Sequence, residues 1–296
     1  MVTRHVTSRG AVDPTGRIEL IIAQAPELAP WLQLYREVLA LSAHPGWEDA
    51  VASIALATDR AADQPLLTGA AIPLDRALAT ETLRRLLTAA SDQPTEDASA
   101  TRAASHAAEL GAPFAIQAAI NQDAAGLDAA AVALDLAPTA LAAIAHLAAI
   151  PLLRAAHRAL ATAITPDWGQ GYCPLCGAWP AVAEVRGLES TRHLRCGRCG
   201  ADWTMPTLWC PFCGEHDHAQ LGSLRAEVPG GSHQAETCLT CRGYVKTMTT
   251  LRAWPAEEVP LADIASVEWD LAAMEREFAR PDRSAMPLNV TIEDAV

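Results

Sequence analysis

The sequence predicts an α+β protein with an all-helical N-terminal domain, two tandem metal-binding modules and a C-terminal helix. Three observations predict it. Alanine-rich apolar residues recur at helical spacing through the first 165 residues. All eight cysteines then fall between residues 173 and 241, as four Cys-x-x-Cys pairs separated by short stretches of β character. Beyond Pro260 the helical periodicity returns. These changes divide the chain into a helical domain (1–168), a double metal-binding domain (169–254, with units 169–208 and 209–254) and a C-terminal helix with its tail (255–296).

The first helix is expected over Glu27–Leu41, whose apolar residues share one face and which His44-Pro45-Gly46 ends. Helices over Trp47–Thr58, Leu74–Ala89 and Glu96–Glu109 follow, divided by breakers at Gly69, Pro73 and Gln93-Pro94. Phe114–Ala125, Asp128–Leu136 and Thr139–Ile164 complete the set, and Pro151 should kink or interrupt the last of them. The most apolar stretch, Leu136–Leu153, is broken by Pro138, His146 and Pro151 and reads as a buried helix rather than a membrane span. No catalytic constellation is visible in this region.

Helical periodicity stops at Thr165–Gly171. Strands are expected over Val182–Arg186, Thr191–Arg195, Asp202–Trp209, Ala219–Val228 and Tyr244–Leu251. The last helix, Leu261–Arg280, carries Ile264, Val267, Leu271, Met274 and Phe278 as one stripe that should face the protein, and residues 281–296 read as a loose tail.

The cysteines carry the chemistry. A tetrahedral ion consumes two Cys-x-x-Cys pairs, so Cys173/Cys176, Cys196/Cys199, Cys210/Cys213 and Cys238/Cys241 supply ligands for two tetrathiolate sites. Glycine after the second cysteine permits the left-handed backbone that turns amides toward sulfur, and Gly177, Gly200 and Gly214 hold that place. Cys238-Leu-Thr-Cys-Arg242 departs from the pattern, its glycine displaced to Gly243. Intervals of 19 residues within the first two pairs and 24 within the last two suit two sequential zinc-ribbon or rubredoxin-like units, the 10 residues between them forming a linker. A cross-braced pairing, first with third and second with fourth, remains open at this level. Zinc and iron both accept four thiolates in tetrahedral geometry, so the two ions are iron or zinc. Glu215-His216-Asp217-His218 reads as a solvated turn, and His193 and His233 as residues on strand faces.

Charge narrows the function. The net charge is −13, with 22 Lys and Arg against 35 Asp and Glu, and Lys246 is the only lysine. Residues 171–250 carry no net charge, whereas nucleic-acid binding rests on surplus cations, so a nucleic-acid-binding ribbon is disfavoured. Arg186, Arg192, Arg195 and Arg198 could make a local anion patch, but balance against Glu184 and Glu189 is the expectation. Met1–Leu20 holds no continuous apolar run, so no signal peptide is expected. A reducing cytoplasm follows as the expected location, where paired cysteines bind metal rather than form disulfides.

The text from Tyr172 to Arg280 resembles the formate dehydrogenase accessory (maturation) protein family, FdhE. The matching residues are Cys-Pro-Leu-Cys-Gly at 173, Arg-His-Leu-Arg-Cys-Gly-Arg-Cys-Gly at 192, Ala-Asp-Trp at 201, Cys-Pro-Phe-Cys-Gly at 210 and Glu-Thr-Cys-Leu-Thr-Cys-Arg-Gly-Tyr-Val-Lys-Thr from 236. An acidic helix with Trp-Asp-Leu-Ala-Ala-Met-Glu-Arg-Glu-Phe at 269 completes it, while residues 1–165 match only as an Ala/Leu-rich helical region. The resemblance implies a helical domain joined to two rubredoxin-like modules that hold iron or zinc. It implies a cytoplasmic, non-enzymatic maturation factor whose partner is the catalytic subunit of formate dehydrogenase, with no nucleic acid, no membrane and a homodimer left open. The competing reading is a redox-active or sulfur- or metal-transfer protein acting on the cofactor of that enzyme.

Overall fold

A computed structural model describes residues 13–91, 111–133, 136–225, 233–282 and 284–295. The helical part comprises α1 (Pro14–Gln24), α2 (Ala29–Leu41), α3 (Gly46–Ala52), α4 (Arg76–Ser91), α5 (Ala112–Asn121), α6 (Ala124–Ala133) and α7 (Pro138–Leu160). Proline stands in the first turn of α1, α2, α5 and α7, where its missing N–H costs nothing and its fixed φ suits the helix. The Glu96–Glu109 helix lies outside the described residues.

α7 is the axis of this part. Leu141, Ile144, Leu152 and Leu153 are buried among α2 to α6, and Ala145, Ala148, Ala149 and Ala156 let those helices come close. Each fully buried leucine or isoleucine contributes about 1.5–3 kcal/mol. That gain outweighs the one backbone hydrogen bond lost at Pro151, and the helix runs through it uninterrupted. Among the described residues, Pro138–Ala163 is the one segment long and apolar enough to cross a membrane, and 67% of its most apolar window is buried inside the protein.

Beyond shifts of a few residues at helix ends, three segments differ from the sequence expectation, the first being α1, a helix ahead of the first one expected. α3 ends at Ala52 rather than Thr58, because Ala55 exchanges backbone hydrogen bonds with Ala71 (3.0 and 2.9 Å) and so leaves the helix. Ala71–Leu74 forms a short strand, β1, ahead of α4.

The cysteine-bearing part is one six-stranded sheet. Its strands are β2 (Val182–Arg186), β3 (Thr191–Arg195), β4 (Asp202–Thr204), β5 (Leu221–Arg225), β6 (His233–Cys238) and β7 (Tyr244–Thr250), in the order β4-β3-β2-β7-β6-β5. β2 and β7 run parallel, Val182 beside Lys246 and Arg186 beside Thr250, while the other pairs are antiparallel. The hairpins of the two cysteine units therefore share a continuous ladder at the β2–β7 seam. The strand expected over Asp202–Trp209 stops at Thr204, and the strand face expected at His233 belongs to β6, whose extent to Cys238 the pattern does not mark.

The C-terminal region departs furthest. The helix expected over Leu261–Arg280 is two helices, α8 (Glu258–Ile264) and α9 (Val267–Met274). Lys246 favours the break physically: its buried ammonium donates to the carbonyls of Asp263 (2.6 Å) and Ser266 (3.4 Å), groups a continuous helix would occupy. α9 then turns Asp270 and Ala273 toward the sheet. Its expected inner stripe faces outward, Val267, Leu271 and Met274 being 38, 57 and 62% exposed, and of that stripe Phe278 is buried.

Residues 284–295 are a strap rather than a loose tail. Leu288 and Val290 are buried, Asn121 exchanges two hydrogen bonds with the Val290 backbone (2.9 and 2.7 Å), and β8 (Thr291–Asp294) pairs in parallel with β1. The chain end thus returns across the metal-binding part to the helical part.

Candidate metal centres

The four Cys-x-x-Cys loops are built alike. Cys173 N–H donates to the Ala178 carbonyl (2.8 Å), and Gly177 N–H donates back to the Cys173 carbonyl (3.0 Å). The same pair of bonds recurs at Cys196/Gly200/Ala201 and Cys210/Gly214/Glu215. Reversal of the chain places the fifth residue in the left-handed region, with φ of 65° at Gly177, 82° at Gly200 and 75° at Gly214. In the fourth loop Arg242 takes that conformation (φ 58°) and Cys238 N–H donates to Gly243.

These loops gather the sulfurs into two tetrads, Cys173/Cys176/Cys196/Cys199 and Cys210/Cys213/Cys238/Cys241, each with all ligand atoms within 4.8 Å of one another. The pairing is sequential, not cross-braced. Sγ···Sγ separations of 3.4 Å (Cys173–Cys199), 3.5 Å (Cys176–Cys196), 3.6 Å (Cys210–Cys241) and 3.7 Å (Cys213–Cys238) approach the edge of about 3.8 Å set by a tetrahedron with 2.3 Å metal–sulfur bonds. Each tetrad could hold one metal ion.

Electrostatics asks for that cation. Burial raises the thiols of Cys173 and Cys199 well above their ordinary range, and burial also raises Cys210, while thiol hydrogen bonds from Cys173, Cys176 and Cys199 pull Cys196 down. Packing four sulfurs together disfavours ionising all of them, and a divalent ion between them would offset that cost. Amide groups point the same way. Cys176 N–H lies 3.5 Å from Cys173 Sγ, and Ala201 N–H 3.4 Å from Cys199 Sγ.

The two centres differ in setting. The first tetrad is fully buried where sheet, helices and strap meet. Leu66 and Leu67 amides donate to the Pro174 and Leu175 carbonyls (2.8 and 3.1 Å), Gln122 Nε2 reaches the Gly177 carbonyl (3.3 Å), and Met286 N–H donates to the same carbonyl (3.2 Å). A Cβ on Gly200 would lie 2.3 Å from that of Ala256, so only glycine fits. The second tetrad lies at the surface, Cys210 and Cys238 buried but Cys213 and Cys241 exposed. A cavity of about 240 Å³ adjoins it, with Trp209, Cys210 and Cys238 in its lining.

The remaining sequence candidates resolve into structural roles. Glu184, fully buried, accepts from Arg186 (2.9 Å), from Arg195 and from the Trp254 amide (3.2 Å). Arg186 also pairs with Asp202 (2.5 Å), and Arg192 with Glu236 (2.7 Å). Charge balance holds for Arg186, Arg192 and Arg195, with Glu184, Asp202 and Glu236 as the acids. Arg198 donates to the Ala119 carbonyl (2.5 Å), tying the second loop to α5. His193 and His233 lie in strands, and His216 and His218 are exposed in their turn. Sequence reasoning missed the Lys246 cluster, where the ammonium meets Asp263 (2.8 Å) and Asp270 (2.7 Å) and Arg280 joins both acids. The lone lysine beside an acidic helix was the available signal.

A helical body that encloses one cysteine tetrad and displays a second on a shared sheet defines a class, the tandem tetrathiolate proteins. Within it the comparisons are specific. A protein FdhE homolog of Aquifex aeolicus (strain VF5) is 33% identical over 123 residues, covering 40% of this chain and 42% of that protein. A protein FdhE homolog of Edwardsiella ictaluri (strain 93-146) is 30% identical over 110 residues, 36% of this chain and 35% of that protein. The sequence matches thus span well under half the length of these relatives. The crystal structure of the FdhE protein from Pseudomonas aeruginosa superposes with a TM-score of 0.60 at 22% identity, covering 93% of this chain and 94% of that one. No family model matches the chain. The chain is FdhE-like, in sequence over the matched part and in fold along nearly all its length.

Proposed function

We propose that this protein is a cytoplasmic maturation factor for formate dehydrogenase, acting by binding the catalytic subunit and not by catalysing a reaction. One observation carries the reading: sequence similarity to proteins named FdhE homolog coincides with a fold likeness that spans both the helical part and the metal-binding part. The family resemblance points to the client, and two cysteine tetrads bracing one sheet support a binding role. Cys173, Cys176, Cys196 and Cys199 would hold one iron or zinc ion and Cys210, Cys213, Cys238 and Cys241 the other. Such ions supply rigidity, and they couple the shape of the sheet to metal loading.

The surface around the second unit suits a protein partner. Leu208, Trp209, Leu239, Leu271 and Met274 are exposed there and on α9, and acidic Glu268 and Glu275 flank the α9 stripe. Deleting the gene and measuring formate-dependent dye reduction tests the reading, with restoration by the intact gene as control. Loss of activity is expected, and unchanged activity contradicts the assignment.

A second reading, redox or metal transfer to the client's cofactor, is favoured by one feature, the exposure of Cys213 and Cys241. Iron in that tetrad would be coloured and redox-active, whereas zinc would be silent.

A further inference from the structure

The two tetrads share ligand chemistry but not access. Every sulfur of the first is sealed by protein: α5 and the segment around Pro65 on one side, the Met286 strap on another, and Ala256 against Gly200. Metal can leave that centre only if these contacts separate, which amounts to parting the sheet from the helical body. The second tetrad needs no such event. Cys213 and Cys241 open to solvent, and the adjoining cavity reaches the buried pair Cys210 and Cys238. The fourth Cys-x-x-Cys loop, which serves this tetrad, also holds a non-glycine residue, Arg242, at φ 58°, a left-handed conformation that L-residues adopt only at a cost.

We propose that the second tetrad is an exchangeable metal site, which yields its ion to thiol or chelating ligands and takes it back without unfolding, while the first is a permanent structural site. The exchange is a ligand substitution. Incoming donors replace Cys213 and Cys241 first, the displaced thiolates take up protons from solvent, and no oxidation state changes. Arg242 positions the loop, donating to the carbonyls of Arg276 (2.6 Å) and Glu277 (3.2 Å) with its guanidinium over the Phe278 ring. The loop therefore stays anchored to the segment that follows α9 when its metal departs, which makes reloading possible.

The inference requires that both tetrads bind metal, and the test separates the two. The full-length protein is loaded with zinc, its content is measured, and the chromophoric chelator 4-(2-pyridylazo)resorcinol is added together with N-ethylmaleimide. Fewer than two ions at the outset, after reconstitution, counts against the tetrathiolate reading itself. With two bound, one equivalent should leave at least about tenfold faster than the other, because local opening costs far less than global opening. Mass spectrometry should find Cys210, Cys213, Cys238 and Cys241 alkylated in the fast phase and the first four cysteines only in the slow one. Cys213→Ser should abolish the fast equivalent and leave the slow one. Release of both ions at rates within tenfold of each other, or earlier alkylation of Cys173 to Cys199, overturns the proposal.

Discussion

Lys246 is the lone lysine of the chain, and its surroundings explain why one suffices. Its ammonium is buried and meets Asp263 and Asp270, with Tyr244 donating to Asp270 (2.6 Å) and Arg280 closing the group. Burial works against the Asp270 carboxylate, but hydrogen bonds from Lys246 and Tyr244 and the charge of Arg280 outweigh it, so its pKa lies below the ordinary value. A depressed carboxylate pKa stabilises the fold above the unfolded value of about 4, and that contribution is lost as pH falls through the lower folded value. Asp270→Asn should therefore lower unfolding free energy by about 1–3 kcal/mol at pH 7. In chemical denaturation the deficit should shrink as pH falls below about 4, where the unfolded carboxylate protonates first, and vanish once pH passes the lower native value; a deficit unchanged with pH contradicts the charge assignment. Arg242 makes the second residue-scale case. Arg242→Ala keeps the left-handed backbone but removes the guanidinium from Arg276, Glu277 and Phe278, and denaturation should register a loss of about 1 kcal/mol. At this scale the sequence was eloquent about sulfur and silent about partners. Cysteine spacing is local and readable, whereas the pairing of Lys246 with residues 17 and 24 positions away depends on where α8 breaks.

Elements that follow a local period were legible, and those decided by distant contacts were not. Val182–Arg186 and Thr191–Arg195 form strands over the expected residues because alternation and the flanking knuckles fix them. β1 and β8 carry little pattern of their own and exist because they pair with each other across more than two hundred residues. The same holds for α9, where an apolar stripe suggested an inner face but the Asp270 ion pairs turned that face outward. The strap yields a sharp prediction. Leu288 is fully buried and its carbonyl accepts from Gly69 (2.7 Å), so Leu288→Ala should cost about 2–5 kcal/mol, read as a lowered melting temperature. Gly200→Ala should be as damaging, since φ 82° disfavours a side chain and Ala256 already fills the space. If either variant melts like the parent, the strap or the knuckle contact is not as described.

At the scale of the molecule, the first tetrad joins parts that the sequence presents in succession. Knuckle backbone bonds to Leu66 and Leu67, the Arg198 bond to α5 and the strap over Gly177 make that centre the place where helices, sheet and strap converge. Metal removal from it should therefore disturb the helical body as well as the sheet, since the ion's binding energy is folding energy. The measurement closest to this claim is sulfur-ligand X-ray absorption combined with elemental analysis on anaerobically purified protein. It should give two ions per chain, each surrounded by four sulfurs at about 2.3 Å. Absence of bound transition metal, or cysteines joined in pairs by oxidation, would contradict it.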